Sequence, residues 1–218
     1  MTKTALIAGV TGLIGKQLLQ LLLVDDGYSK IVSISRRSTG IQHEKLKEVI
    51  ISFDRMNDVV DKLVADDVFI CLGSTMKKAG SKEVFEQFDY TYPFQLATIS
   101  LENGAKQLSI ISALGADSTS SFFYNRVKGE LESAIMGLTY ETINILRPSL
   151  LIGEREEVRT IENIAQKFYK SLGWVFVGSA KKYKAIESET VAMAMLNIAQ
   201  SNNLGITIYN SDEIAARA

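Results

Sequence analysis

Regularly spaced glycines near the amino terminus limit this chain to a small set of folds. Gly9, Gly12 and Gly15 follow a short apolar run, Thr4 to Gly9, and precede Leu13 to Val24, where leucines recur at helical spacing. The order is therefore a strand, a tight turn and a helix. At such a turn the first glycine permits the turn, the second lets a ligand approach the backbone, and the third lets the helix lie close to the strand.

This turn predicts an anion site. The N–H groups and the positive dipole end of a helix attract phosphate, and a glycine triplet between a strand and an amphipathic helix is the fingerprint of dinucleotide binding. The simpler alternative is a glycine-rich turn without a ligand. We expect the pyrophosphate of a cofactor to contact the residues of this turn, which are Gly9, Thr11, Gly12, Leu13, Ile14 and Gly15.

Strand and helix patterns alternate along the rest of the chain. Apolar runs predict further strands at Lys30 to Ser35, Glu48 to Phe53, Asp67 to Leu72, Gln107 to Ser112, Glu141 to Leu146 and Gly205 to Tyr209. Helical spacing predicts helices at Asn57 to Val64, Ser81 to Asn103, Phe122 to Met136 and Glu189 to Gln200. The alternation predicts an α/β fold, a Rossmann-type doubly wound parallel sheet flanked by helices.

Polar and glycine residues indicate where these elements begin and end. Helix caps and one helix end are predicted at Asn57, Ser81, Ser188 and Gly104. Pro93 should kink the long helical pattern or divide it near Tyr92. We expect residues 1–218 to form one domain, in which residues 149–187 make a small C-terminal substrate lobe. That lobe is predicted to contain a helix at Ile161 to Leu172 and a short strand at Trp174 to Val177.

The composition argues against several classes of protein. Lys plus Arg (24) nearly balance Asp plus Glu (25), so we expect no nucleic-acid partner. Cys71 and His43 are the only cysteine and histidine, which disfavours a disulfide, a metal site and a Ser-His-Asp triad. The sequence lacks an apolar run long enough to span a membrane. We therefore expect a cytoplasmic protein that acts on a small-molecule substrate. The sequence does not indicate an oligomeric state.

The end of the second predicted strand bears on the choice of cofactor. An NAD-selective site usually places Asp or Glu there, against the ribose diol, but this chain has Ser35, Arg36 and Arg37. Guanidinium groups match a 2′-phosphate in geometry and charge. The sequence therefore favours NADP, with NAD as the alternative and two solvated arginines as the simpler interpretation. Asp54, which closes the third predicted strand, either contacts adenine or caps the next turn.

A candidate site follows the fifth predicted strand. Tyr124 and Lys128 are four residues apart on a predicted helix, so both project from one face. Ser112 ends the strand, at the carboxyl edge of the sheet where such folds bind ligands. A tyrosine and a lysine at this spacing are common by chance, so it is their position after Ser112 that marks the site.

Five elements in this order resemble the short-chain dehydrogenase/reductase superfamily, in its extended, epimerase-like and atypical, NmrA-like branches. They are GVTGLIG at Gly9 to Gly15, CLGST at Cys71 to Thr75, Ser112, YNRVK at Tyr124 to Lys128 and LRPS at Leu146 to Ser149. Longer segments, CLGSTMKKAGSKE, SALGADSTSSFFYNRVKGELE and ILRPSLLIGERE, are similar to a small NAD(P)-binding subgroup that includes the human Tat-interacting metastasis suppressor.

The resemblance implies a Ser-Tyr-Lys mechanism. Tyr124 would be the general acid/base, Lys128 would bond the nicotinamide ribose and lower the tyrosine pKa, and Ser112 would orient the substrate oxygen. An adjacent cation favours phenolate, so the arrangement is physically reasonable. The resemblance also implies further cofactor contacts, from Leu72, Gly73, Ser74 and Thr75 to the nicotinamide ribose and from Pro148, Leu150 and Leu151 to the carboxamide.

Two departures from the superfamily pattern leave more than one function open. Asp89 stands where the superfamily often has an asparagine that supports a proton relay, and the segment after Pro148 is too short to enclose a large sugar nucleotide well. The first hypothesis is an NADP-dependent oxidoreductase for a small carbonyl or alcohol. The second is a cofactor-binding regulator that contacts a protein partner, and a weaker third is an epimerase of a small sugar nucleotide.

Overall fold

The computed structural model describes residues 2–152, 184–201 and 203–218. Its centre is a parallel sheet of seven strands. The strands, in chain order, are β1 Lys3–Ala8, β2 Tyr28–Ser35, β3 Leu46–Ile50, β4 Asp67–Ile70, β5 Gln107–Ile111, β6 Thr142–Arg147, β7 Leu151–Ile152, β8 Ile186–Glu187 and β9 Gly205–Asn210. The sheet order is β3-β2-β1-β4-β5-β6-β9, and every pair is parallel. β7 and β8 form a separate small pair. The predicted doubly wound sheet is confirmed.

Helical segments connect these strands. They are α1 Leu13–Val24, a 3₁₀ helix Phe53–Lys62, α2 Met76–Ala79, α3 Lys82–Glu86, a π-helical turn Gln87–Thr91, α4 Tyr92–Glu102, α5 Phe123–Met136, α6 Ser188–Gln200 and α7 Ser211–Ala215. The predicted bounds of α1 are confirmed at both ends, and those of α5 to within one residue.

Apolar side chains fill both faces of the sheet. On β1, Leu6 and Ala8 belong to one buried layer, and Ala5 and Ile7 belong to the other. Helices α4 and α5 cover the first layer, whereas α1 and α6 cover the second. Strands covered on both faces are continuous apolar runs in sequence, and burying each large apolar side chain contributes about 1.5–3 kcal/mol. This packing explains why the strands were recognisable.

Several predicted boundaries are wrong, for local reasons. The third strand begins at Leu46 and ends at Ile50, because Phe53 already begins the 3₁₀ helix. Asn57 is therefore inside that helix, where its Oδ1 accepts a hydrogen bond from Gln95 at 3.1 Å instead of capping. The N-cap of α6 is Glu187, so Ser188 begins the helix and does not cap it.

The long pattern from Ser81 to Asn103 stays helical, and near Tyr92 it changes from a π-helical turn to an α-helix instead of being divided. The Ser81 hydroxyl accepts from the Val84 N–H at 3.2 Å, which confirms the cap, and Gly104 ends the pattern with φ +92°. Pro93 lies in the first turn of α4, directly after the π-helical turn Gln87–Thr91, so the proline coincides with the change of helix type. The predicted helix and strand between residues 161 and 177 lie outside the described residues, so the substrate lobe and the domain bounds stay predictions.

Candidate active site

Two glycines of the β1–α1 turn are required by the packing of the protein itself. A Cβ at Gly9 would lie 2.4 Å from the carbonyl oxygen of Cys71, and φ there is +90°. A Cβ at Gly15 would lie 2.2 Å from the carbonyl oxygen of Gly9. Both contacts are with backbone atoms that cannot move aside. These glycines bring β4 and α1 close to the turn.

Gly12 is different, because the protein leaves space in front of it. Its backbone is extended (φ −86°, ψ 171°), and a Cβ would meet only the Gly9 carbonyl oxygen, at 3.2 Å, a tight contact that needs a shift of a few tenths of an ångström. The first turn of α1, from Leu13 through Ile14, holds no acidic residue, and the first N–H groups of a helix lack partners within it. An exposed cradle of N–H groups without an acidic side chain in the first helical turn fits a pyrophosphate. A dinucleotide therefore fits these residues.

Gly12→Val should fold and yet lose the dinucleotide, because the added side chain enters this cradle and not the core. We expect an unfolding temperature close to that of the parent, and an NADPH affinity weakened about a hundredfold or more in calorimetry. Gly15→Ala is the matched contrast, since its Cβ would strike backbone, and it should destabilise the protein. A Gly12→Val variant that binds NADPH as tightly as the parent would show that the site is elsewhere.

The residues predicted to meet the adenosine half have different surroundings. Arg36 and Arg37 are both exposed beyond β2. The Arg36 guanidinium lies over the Phe88 ring, 4.8 Å from its centroid, and the Arg37 carbonyl accepts a hydrogen bond from Ser35 at 2.7 Å. Asp54 does not close β3. It lies in the first turn of the 3₁₀ helix, whose N-cap is Ser52, and it accepts a hydrogen bond from the Ser52 hydroxyl, which lowers the pKa of Asp54. Asp54 is therefore not the cap of this helix, and its contact with adenine stays a prediction.

Lys128 forms a buried ion pair that joins three elements. Its Nζ lies 2.8 Å from Oδ1 of Asp89, and the two side chains are 4% and 0% exposed. The other carboxylate oxygen, Oδ2, accepts the Ser74 N–H at 2.8 Å. A Cβ at Gly73 would lie 3.3 Å from Asp89 Oδ1 and 3.5 Å from Lys128 Nζ. The pair thus faces space that Gly73 leaves open, and Asp89 holds Lys128 and the loop after β4 together.

Tyr124 lies one turn before Lys128 on α5. Its ring packs on Phe85, with 5.4 Å between centroids. Burial raises the pKa of the Tyr124 hydroxyl, the Lys128 charge lowers it, and the Asp89 charge raises it, with a net direction upward. The expected lowering of the Tyr124 pKa by Lys128 is present, but burial outweighs it, so the phenol is not brought toward phenolate. The phenol is protonated near neutral pH, which suits a general acid.

The Ser112 hydroxyl donates a hydrogen bond to Glu132, a residue that the sequence analysis missed. Glu132 also pairs with Arg147, whose Nε lies 2.9 Å and 3.2 Å from its two carboxylate oxygens. Ser112 and Glu132 are 5% and 2% exposed. A signal was available, since Tyr124, Lys128 and Glu132 recur every four residues and share one face of α5.

The remaining predicted cofactor residues lie around the same edge of the sheet. Leu72 is buried, Thr75 is exposed, and the Thr75 hydroxyl caps α2 by accepting the Lys78 N–H. The carbonyls of Pro148 and Leu150 accept hydrogen bonds from Leu114 and Ile186, each at 3.0 Å, and Leu151 belongs to β7. Within the described ranges, no group of three His, Cys, Asp or Glu side chains is placed to hold a metal ion.

Known proteins share this sequence pattern and fold. The model of the NAD dependent epimerase/dehydratase family matches residues 5–121. Protein HTATIP2 of Rattus norvegicus is 34% identical, over 89% of this chain and 80% of that protein. Protein fmp52, mitochondrial, of Emericella nidulans is 35% identical, over 90% of this chain and 87% of the relative. The Bordetella bronchiseptica enzyme WbmH, solved with NAD⁺, has the same fold, with a TM-score of 0.70 at 16% identity over 97% of this chain and 76% of that one.

The prediction of a cytoplasmic location is wrong by this comparison, because curated relatives from three fungi are named mitochondrial proteins. The prediction relied on a single cysteine and on the lack of an apolar run long enough to span a membrane, which report on redox surroundings and membrane insertion and not on a cellular address. Among the helices in the described part of the chain, none has both the length and the apolar character needed to cross a bilayer.

The family model matches more than half of the chain, and a relative is 34% identical over 89% of it. Both findings agree with the close packing at the glycine turn. The chain belongs to the NAD dependent epimerase/dehydratase family and has the nicotinamide-dinucleotide-binding fold of the short-chain dehydrogenase/reductase type.

Proposed function

We propose that this protein is an NADP-dependent oxidoreductase that interconverts a small carbonyl compound and its alcohol. One observation carries the proposal: Lys128 is held by Asp89 beside the loop after β4, with Tyr124 one turn away on the same helix. This arrangement supports a tyrosine that exchanges a proton with substrate next to a lysine that bonds the nicotinamide ribose. A bound dihydronicotinamide would supply the hydride.

The roles of the side chains follow from their surroundings. Tyr124 would donate its proton to the substrate oxygen during reduction, and its raised pKa keeps that proton in place near neutrality. The Lys128 ammonium would donate to ribose hydroxyls through the space in front of Gly73. Asp89 would accept from the same hydroxyls or hold Lys128 in position. A survey of aldehydes, ketones and quinones, followed by NADPH absorbance, tests whether turnover occurs.

The preference for NADP rests on Arg36 and Arg37, which stand beyond β2 where an acid would meet the ribose in an NAD site. Replacing both with alanine should abolish the preference, because charge-assisted phosphate contacts contribute about 1.5–3 kcal/mol, or roughly ten- to a hundredfold in affinity. Parallel calorimetric titrations with NADPH and NADH measure it. Lys30→Ala, at an exposed position of β2 away from its carboxyl end, is the control. Equal affinity of the parent for both cofactors would refute the assignment.

A second candidate function is a cofactor-dependent regulator that contacts a protein partner. The Asp89–Lys128 ion pair favours it, since Asp89 offsets the charge that would otherwise activate Tyr124. In that function the site would bind NADP(H) and turn over no substrate. The turnover survey distinguishes the two candidates.

A further inference from the structure

The hydrogen bond from Ser112 to Glu132 has a fixed direction. Arg147 carries a permanent charge and binds both carboxylate oxygens of Glu132, so Glu132 is ionised and can only accept. A serine hydroxyl has one proton and two acceptor lone pairs. The proton of Ser112 is therefore committed to Glu132, and only lone pairs remain for any other partner.

The surroundings of Ser112 keep this direction in place. Its N–H donates to the Leu146 carbonyl at 2.7 Å, which fixes the end of β5 beside Arg147 on β6. Glu132 is buried on α5, the helix that also carries Tyr124 and Lys128. To donate to a substrate, Ser112 would have to leave a buried carboxylate without one of its hydrogen bonds, which is costly.

We infer that the Glu132–Arg147 pair makes Ser112 a hydrogen-bond acceptor toward substrate, so that the site selects a carbonyl compound with a hydroxyl on the adjacent carbon. The inference rests on the proposed oxidoreductase function. The reacting carbonyl oxygen then takes its proton from Tyr124, and the neighbouring hydroxyl donates to Ser112. Hydride from NADPH adds to the carbonyl carbon, the product is a vicinal diol with NADP⁺, and the hydroxyl held by Ser112 is unchanged.

Three ketones with one carbon skeleton test this assignment. Acetoin carries the adjacent hydroxyl, butanone lacks it, and the methyl ether of acetoin keeps the oxygen but has no proton to donate. We expect kcat/KM for acetoin to exceed that for both others by about tenfold, the effect of one hydrogen bond. Ser112→Ala should bring the three values within about twofold of one another. Ser109→Ala, a buried serine on the same strand that accepts from Asn144, should leave the preference intact.

Two kinetic outcomes would overturn the inference. An ether reduced as well as acetoin would mean that Ser112 donates. If Ser112→Ala lowered kcat/KM by the same factor for all three ketones, Ser112 would be a hydrogen-bond partner of the reacting carbonyl oxygen.

A binding series decides the inference without turnover. Calorimetry on the NADPH-loaded protein, in which the reduced cofactor cannot accept a hydride from an alcohol, compares the diol derived from acetoin, the alcohol derived from butanone, and the monomethyl ether of the diol. Tighter binding of the diol alone, lost in Ser112→Ala, supports the inference, whereas equal binding or none overturns it. Absence of turnover across all carbonyl compounds would refute the proposed function, and the binding series would still decide the role of Ser112.

Discussion

Tyr124→Phe is expected to lower turnover by about a hundredfold or more while leaving the affinity for NADPH nearly unchanged. The substitution removes only the hydroxyl, so the contact of the ring with Phe85 survives. The proton that the substrate oxygen needs has then lost its donor. Steady-state kinetics on the best carbonyl substrate and calorimetry with NADPH measure the two quantities on the same preparations.

Matched variants separate this effect from general damage. Tyr90→Phe also removes one tyrosine hydroxyl, from a ring that stacks on Phe94 at 6.1 Å and has no assigned part in the site, so its turnover should equal that of the parent. Lys128→Met should impair both turnover and NADPH affinity, because Lys128 is proposed to touch the cofactor. An active parent whose rate is untouched by Tyr124→Phe would refute the mechanism even with the cofactor site intact.

The regulator function predicts different results for turnover and binding by the parent and the Tyr124→Phe variant. The parent would then turn over none of the carbonyl compounds, and Tyr124→Phe would retain both NADPH binding and any cofactor-dependent contact with a protein partner. Only the oxidoreductase function requires the hydroxyl of Tyr124.

The elements that the sequence predicted well are those whose signals are local. Helix α1 and the glycine turn combine a period of leucines with three glycines, and the buried strands are short apolar runs. The end of β3 was predicted less well, because Ile50 to Phe53 remains apolar while the backbone changes from strand to 3₁₀ helix. Apolar character alone does not distinguish those two backbones.

The electrostatic partners in the site were harder to predict. Asp89 was identified as a departure from the superfamily, but its ion pair with Lys128 depends on a π-helical turn that no sequence pattern indicated. Glu132 on α5 and Arg147 on β6 are in contact only because the helix and the strand pack against each other in one particular alignment. Such pairs join residues far apart in sequence, and a single sequence carries no signal of that proximity.

The ion pair between Asp89 and Lys128 should have the largest effect on stability. Removing one partner leaves the other charge buried, which costs about 3–5 kcal/mol. We therefore expect Asp89→Asn and Lys128→Met each to lower the free energy of unfolding by that order, whereas the double variant should lose clearly less than the sum. Urea unfolding of the four proteins measures the coupling. Glu141→Gln, in an exposed ion pair in which Lys106 is 67% and Glu141 58% exposed, should change stability by less than about 1 kcal/mol.

The same double variant also separates stability from function at this pair. With both charges removed, the core around the pair is neutral, but the Lys128 ammonium that is proposed to bond the nicotinamide ribose is absent. The double variant should therefore approach the parent in stability more closely than either single variant and still bind NADPH more weakly than the parent. Strictly additive losses would show that the two side chains do not depend on each other, and parent-like NADPH affinity in the double variant would remove Lys128 from the cofactor site.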